Sequence, residues 1–316
     1  MNSEINDCNE ILNPRMGVNI GNLQLKNPIM TASGTFGYGE EYSSFVDLNR
    51  LGAVIVKGLS LEPRAGNPPP RLAETACGLL NAIGLQNIGV KAFIEQKLPF
   101  LDGFATQIIA NIFGETLDEY GKVAEILSSA GGVSALEVNI SCPNVKKGGV
   151  AFGSNPEMAA EVVRRVKQST DLPVIMKLSP NVTDIALIAE SVESAGADAV
   201  SLINTITGMS VDVKSRKPLL YNITGGLSGP AIKPVALRMV WQTVNRVKIP
   251  VIGLGGIMNA MDALEFLIVG AKAVQIGTAN FIDPRATTNV LDGIIHYLNE
   301  NNISDISDLI GSLSVK

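Results

Sequence analysis

Eight short apolar runs, each carrying a polar residue or a glycine at or near its end, alternate with longer amphipathic segments along the whole chain. The runs are Pro28–Ser33, Ala53–Gly58, Gln107–Phe113, Ala135–Ser141, Pro173–Ser179, Ala199–Thr205, Pro250–Gly255 and Ala273–Thr278. Helical spacing marks Thr116–Ala130, Pro156–Thr170, Thr183–Ala195, Pro230–Val247 and Asn259–Val269. Asn155-Pro156 and Gly229-Pro230 set proline at a first helical position. Strands alternating with helices predict an α/β protein with a parallel sheet. Eight such units in 316 residues predict a (β/α)8 TIM barrel, with a doubly wound open sheet as the alternative.

No internal repeat and no linker rich in Ser, Gly or Pro divides the chain. Residues 16–316 are therefore expected to form one barrel domain behind a polar N-terminal extension, residues 1–15. That extension lacks the apolar core of a signal peptide. Val18-Asn-Ile-Gly-Asn-Leu-Gln-Leu25 reads as a hairpin that could plug the bottom of the barrel. Two connections, 59–90 and 206–229, are longer than a barrel requires. Long loops in compact domains are commonly functional, and both would lie on the face where barrels keep their sites.

Composition narrows the function classes. A hydrophobic content of 46% supplies one large core, and a formal charge of −5 without a basic run disfavours nucleic-acid partners. Cys8, Cys77 and Cys142 are odd in number and far apart, which fits neither a disulfide framework nor a metal or iron–sulfur site. A reducing cytoplasm is the simplest compartment, and no apolar stretch approaches the roughly 20 residues of a membrane span.

The strand ends carry Ser33, Lys57, Asn111, Asn139, Lys177, Asn204-Thr205, Gly255-Gly256 and Gly277-Thr278. All eight thus offer a polar side chain or bare backbone to one rim. The two glycine pairs either make tight turns or let backbone N–H groups approach an oxyanion, and loops after strands 7 and 8 are the usual phosphate site of barrels. Gly253-Leu-Gly255-Gly256 is no dinucleotide fingerprint, so a mononucleotide phosphate fits better. Lys57 and Lys177 have three readings: an ion pair, with Glu137 the candidate partner; a Schiff-base nucleophile; or a cation facing an anionic ligand. Asn81, Asn139, Asn144 and Asn204 are either turn residues or uncharged donor–acceptor pairs suited to a flat heterocycle.

His296, the single histidine, lies in the last amphipathic segment, far from the strand ends in sequence. A proton acceptor working near neutrality must then be Cys, Lys or a tuned carboxylate. Cys142 is the best placed, because it begins the loop after the fourth run and a thiol is already partly ionised near neutrality. Pro143 stiffens one side of that loop and Gly148-Gly149 can hinge, so the loop could close over a substrate. Cys77 and Cys8 read as incidental.

Asn27-Pro-Ile-Met-Thr-Ala-Ser-Gly34, Asn81-Ala-Ile-Gly-Leu85, Asn139-Ile-Ser-Cys-Pro-Asn144, Ile203-Asn-Thr205, Gly225-Gly-Leu-Ser-Gly-Pro230 and Gly277-Thr-Ala-Asn-Phe281 together resemble the class 1 dihydroorotate dehydrogenases of pyrimidine synthesis. The resemblance runs from about residue 16 to about 285, and Cys142–Gly153 looks like the 1B subclass, the catalytic subunit that pairs with an electron-transfer subunit. It implies an FMN-containing barrel oxidising dihydroorotate to orotate. Cys142 would remove the C5 proton while the C6 hydride passes to flavin, and Lys57 would touch both flavin and substrate. The substrate would be held by Asn81, Ala82, Ile83, Gly84, Leu85, Asn139, Asn144, Asn204 and Thr205. Ser33, Lys57, Gly58, Asn111, Asn139, Lys177, Ile203, Gly229, Gly255, Gly256, Gly277 and Thr278 would line the flavin. The partner subunit would carry FAD and a 2Fe–2S cluster and pass electrons to NAD. The expected assembly has two catalytic and two electron-transfer chains around a homodimer core.

Four other readings stand beside it. One is a fumarate-using homodimer of the 1A kind. Another is a tRNA dihydrouridine synthase, which an acidic chain without a basic appendage argues against. The remaining two are a Schiff-base aldolase built on Lys57 or Lys177, and a flavin electron carrier with no substrate of its own.

Overall fold

The computed structural model describes residues 13–141, 143–144 and 150–315. Eight parallel strands close a barrel: β1 (Ile29–Thr31), β2 (Ala53–Ile55), β3 (Gln107–Ile112), β4 (Ala135–Asn139), β5 (Val174–Lys177), β6 (Ala199–Leu202), β7 (Val251–Leu254) and β8 (Ala273–Ile276). Each pairs with its neighbours in chain order, and β8 closes on β1 through Val274↔Ile29 and Ile276↔Thr31. Each strand falls within one of the eight apolar runs. The open-sheet alternative is excluded.

β1 and β2 share the single ladder pair Met30↔Ala53. Thr31 reinforces this seam, its Oγ1 accepting from the Ile55 N–H at 2.9 Å. Here the chain departs from a regular repeat: the β1–β2 connection holds two short 3₁₀ turns, Glu40–Tyr42 and Leu48–Arg50, and no α-helix. Phe36 and Tyr42 stack within it, centroids 4.2 Å apart, so aromatic packing covers the barrel where a helix would.

Four of the helices begin at a side-chain cap. α1 (Val90–Gln96) precedes β3, and α2 (Leu117–Ala130) opens with Thr116 Oγ1 accepting from the Glu119 N–H. Asn155 caps α3 (Pro156–Lys167), with Pro156 at the first position as its sequence predicts. Asp184 caps α4 (Ile185–Ser194), and Asn259 caps α6 (Ala260–Ile268). Pro230 opens a 3₁₀ turn, and α5 (Lys233–Val244) follows it. α7 (Ala286–Glu300) closes the ring. Phe93, Phe113, Phe152 and Phe266 are fully buried between helices and barrel. Each contributes about 1.5–3 kcal/mol of burial free energy.

The hairpin Val18–Ile20/Leu23–Leu25 turns at Gly21, whose φ of 58° suits a tight two-residue turn. Gln107, at the start of β3, donates to the Gln24 carbonyl at 3.2 Å, so the hairpin lies against the bottom of the barrel as expected. Arg15 is fastened to the C-terminal segment by an ion pair with Asp305 at 2.9 Å. The two long connections meet each other. Leu72–Thr75, Gly78–Asn81, Thr224–Ser228 and Ile206–Met209 form one antiparallel sheet, built from both loops.

Candidate active site

Inside the barrel, five strands send polar side chains to one point. Glu137 of β4 is fully buried. Its Oε2 accepts from Asn111 Nδ2 of β3 at 2.6 Å and Lys177 Nζ of β5 at 3.2 Å. Its Oε1 accepts from Ser201 Oγ of β6 at 2.8 Å and Gln275 Nε2 of β8 at 2.5 Å. Burial pushes the Glu137 pKa up, but the Lys177 ammonium, then Gln275, Ser201 and Asn111, pull harder, and the carboxyl is held below its ordinary value. Of the three readings of Lys177, the ion pair is the one its contacts bear out. Ser201 and Gln275 are functional candidates that sequence reasoning missed. Their signal was a lone polar residue within Ala199-Val-Ser-Leu202 and Ala273-Val-Gln-Ile276, each otherwise apolar and buried.

The rim above is different. Lys57, two residues past β2, is half-buried, and its ammonium makes no hydrogen bond or ion pair among the described residues. Burial lowers its pKa, Arg71 lowers it further, and Glu41 opposes both. A buried-side lysine without a partner is a cation kept for a ligand or a proton carrier.

The two glycine loops show the same economy. The N–H groups of Gly255, Gly256, Gly277 and Thr278 find no acceptor among the described residues. Gly255 and Gly256 have φ of 121° and 79°, and an added Cβ on Gly256 would lie 2.7 Å from the Lys233 backbone nitrogen. Both glycines are thus required by the turn, and the turn leaves free donors that fit a phosphate. The loops are neighbours of the other residues expected to line a flavin. Thr278 Oγ1 donates to Ser228 Oγ at 2.8 Å, next to Gly229. A Cβ on Gly277 would lie 3.3 Å from Ala32, next to Ser33, and one on Gly255 would lie 3.2 Å from Ile203. On Gly58 it would lie 2.9 Å from Asn111 Oδ1.

An asparagine network spans the gap between the long loops and β4. Asn81 Nδ2 donates to the Gly226 carbonyl at 3.2 Å. Thr205 crowds Gly226, its Oγ1 2.1 Å from where a Cβ would stand. Asn204 accepts from the Thr205 N–H at 2.7 Å and donates to Asn139 Oδ1 at 3.2 Å and Ser141 Oγ at 3.0 Å. Tyr120 fixes the strand end by donating to the Asn139 carbonyl at 2.8 Å. Asn81 Oδ1 and Asn139 Nδ2 remain unused among the described residues, one acceptor and one donor for a heterocycle. Ala82–Leu85 continue from Asn81 as a half-buried turn, with Gly84 and Leu85 at φ of 76° and 58°. Asn67 holds it by donating to the Ala82 carbonyl at 2.9 Å.

Cys142 and Gly148-Gly149 lie outside the described residues, as does Cys8, and the side chain of Asn144 is likewise not described. Pro143–Asn144 pairs antiparallel with Val150–Ala151. Cys77 is exposed, and His296 is exposed on α7, paired with Glu300 at 3.1 Å, remote from the rim. Among the described residues no cluster of His, Cys, Asp or Glu could hold a metal ion.

Comparison with known proteins adds an independent line. Residues 15–298 match the family model described as dihydroorotate dehydrogenase. Proteins from Geotalea daltonii, Trichlorobacter lovleyi and Desulforamulus reducens are 59%, 60% and 61% identical to this chain. The matches cover 96%, 96% and 94% of this chain and 99%, 99% and 98% of those proteins. All three are described as the catalytic subunit of dihydroorotate dehydrogenase B (NAD(+)).

Proposed function

The chain belongs to the dihydroorotate dehydrogenase family, and on that premise we propose that it is the FMN-bearing catalytic subunit of an NAD-linked dihydroorotate dehydrogenase. It oxidises dihydroorotate to orotate in pyrimidine synthesis and works in the cytoplasm. Residues 16–316 act as one catalytic barrel behind the extension 1–15. The observation that carries the reading is the rim itself: Lys57 and four glycine-loop N–H groups, all without a partner among the described residues, share one barrel face with a donor–acceptor asparagine network.

Gly255, Gly256, Gly277 and Thr278 hold the FMN phosphate through their N–H groups, with Ser33, Gly58, Ile203 and Gly229 beside them. Asn111, Asn139 and Lys177 belong to the same flavin-lining set. When bound there, FMN would supply the acceptor for the hydride leaving C6 of the substrate. Asn81, Ala82, Ile83, Gly84, Leu85, Asn139, Asn144, Asn204 and Thr205 orient the pyrimidine, and uncharged amides match its alternating N–H and C=O edge. Lys57 faces the carboxylate of the substrate and the flavin. Cys142 removes the C5 proton as the general base.

The chain offers no dinucleotide fingerprint, so electrons reach NAD through a partner subunit carrying FAD and a 2Fe–2S cluster. Two catalytic and two electron-transfer chains assemble around a homodimer of this chain. No helix among the described residues is long and apolar enough to cross a membrane.

The deciding measurement is an absorption spectrum of the purified chain, reconstituted with FMN, before and after dihydroorotate. The expected result is a yellow protein that bleaches with dihydroorotate, passes electrons to artificial dyes and leaves NAD unreduced without a partner. A colourless protein, or one whose flavin ignores dihydroorotate, overturns the reading; rapid NAD reduction by this chain alone overturns the need for a partner.

A further inference from the structure

Glu137 makes no hydrogen bond to Lys57, the glycine loops or the asparagines Asn81, Asn139 and Asn204 among the described residues, yet donors on four other strands converge on its carboxylate, away from water. Stability does not explain the arrangement. Desolvating both charges of a buried pair offsets much of their attraction, and apolar residues of similar volume commonly serve as well. Neutral side chains would also fill five strands of a barrel interior, as they do elsewhere in β6 and β8.

What the cluster does provide is a lysine that cannot wander. Lys177 keeps 6% of its side chain exposed, with Nζ 3.2 Å from Glu137 and 3.5 Å from Gln275 Oε1. A fixed ammonium favours any negative charge that develops on a ligand nearby. A carboxylate 3.2 Å from that ammonium opposes part of that field. Resting on the flavin reading of this site, we propose that Glu137 is a positioning residue that holds Lys177 in place, so that the pair, and not the lysine alone, sets the midpoint potential of FMN. Asn111, Ser201 and Gln275 are the neutral groups that face the pair from β3, β6 and β8, and among the described residues no other titratable side chain contacts it.

The test is a redox titration of the reconstituted chain from mildly acidic to mildly alkaline pH. It compares wild type, Glu137→Gln, Lys177→Gln and the double variant. In Glu137→Gln the lysine keeps its proton at the acidic end without a counter-charge, so the potential rises above wild type. The expected gain is about tenfold in preference for the reduced cofactor, about 30 mV for a two-electron couple. As pH rises, the unpaired buried lysine loses its proton and the potential falls back through the wild-type curve. That extra step should be missing from wild type, from Lys177→Gln and from the double variant.

A Glu137→Gln profile within about twofold of wild type throughout, about 9 mV, overturns the proposal. So does a step that persists in the double variant, because its origin then lies elsewhere. Should Glu137→Gln fail to fold with FMN, Ser201→Ala decides. It keeps both charges and removes one donor from Glu137, which concentrates the carboxylate charge and lowers the potential; an unchanged potential overturns the idea. A wild-type chain that stays colourless fails the flavin reading itself, whereas a yellow wild type with coincident profiles fails this inference alone.

Discussion

The floor of the site and its rim are both polar, but they spend their polar groups in opposite ways. On the floor, both Glu137 oxygens are occupied, by partners on β3, β5, β6 and β8. On the rim, Lys57, the N–H groups of Gly255, Gly256, Gly277 and Thr278, Asn81 Oδ1 and Asn139 Nδ2 have no intramolecular partner among the described residues. A buried polar group left unpaired costs about 1–3 kcal/mol. The rim groups are half-buried, and a ligand that covers and satisfies them gains binding free energy there. Thr243 Oγ1 and Asn299 Oδ1, the fully buried side-chain atoms left without a partner among the described residues, lie outside the site. Paired groups tune; unpaired groups bind.

The largest expected effect concerns Cys142, which follows Asn139 of the rim by three residues in sequence. Cys142→Ser should leave FMN bound and slow dihydroorotate oxidation by about 10²–10⁴-fold, the usual contribution of a general base. Serine is a far weaker acid than a thiol, so the residual activity should move to higher pH. Single-turnover flavin reduction across pH measures both. Reduction at the wild-type rate at every pH would remove Cys142 from the mechanism.

Next comes the rim's backbone. Gly256→Ala forces a side chain to φ of 79° with its Cβ 2.7 Å from Lys233 N. A loss of about 1–3 kcal/mol in denaturant unfolding is expected, together with weaker FMN retention, because the loop must shift to relieve the contact. Gly34→Ala is the comparison: φ is 89°, but nothing lies within 4 Å of the added carbon. It should incur the conformational cost alone, about 1–2 kcal/mol. Equal losses of stability and flavin at both positions would mean that the close approach at Gly256 is irrelevant.

The rim was more legible in the sequence than the floor, and the reason is physical. Rim residues sit where apolar runs break, so Lys57, Asn139, Asn204 and the glycine pairs stand out against their neighbours. On the floor, Asn111 and Lys177 were legible as strand ends and Glu137 as a candidate ion-pair partner, but Ser201 and Gln275 are single polar letters inside apolar strands and acquire meaning only when five strands converge. The barrel could be read from alternation alone, whereas the missing helix between β1 and β2 could not. The sheet that joins the two long connections also stayed hidden, because Gly78–Asn81 pairs with Thr224–Ser228 across a sequence separation that no local pattern encodes. Lys177 stood between readings until its distance to Glu137 was known.

A smaller effect separates the cost of an unpaired cation from its use. Lys57 has a pKa lowered chiefly by burial, so between that value and its unfolded value of about 10.4 the unfolded chain binds more protons. In that window the stability of the FMN-free chain should rise with pH, and below it the lysine's charge works against folding. Lys57→Met removes this dependence. The variant should match or exceed wild-type stability at neutral pH, with its advantage shrinking as pH climbs, while dihydroorotate binding is lost. Chemical denaturation of both apo chains at several pH values measures it. A Lys57→Met chain less stable than wild type at neutral pH would mean that the lysine has a structural partner after all, and the rim would lose its defining member.

The smallest effect is the one that gives the first its meaning. Cys77 sits in the turn between Leu72–Thr75 and Gly78–Asn81, on the sheet that both long connections build, and its side chain is exposed. Its contribution to the structure is a backbone one, the carbonyl that accepts from the Ala231 N–H at 2.9 Å, and a serine side chain leaves that bond in place. Cys77→Ser should therefore change neither flavin content nor the rate of flavin reduction, and stability should stay within about 0.5 kcal/mol of wild type, as for surface substitutions generally. The same atom exchange is made at both cysteines, sulfur for oxygen, so any general effect of losing a thiol cancels between them. What remains is position: one thiol on an exposed turn, the other at the start of the loop that follows Asn139 and Ser141. A Cys77→Ser chain slowed as much as Cys142→Ser would mean that the rate loss reports thiol chemistry away from the rim, and the base would have to be sought elsewhere.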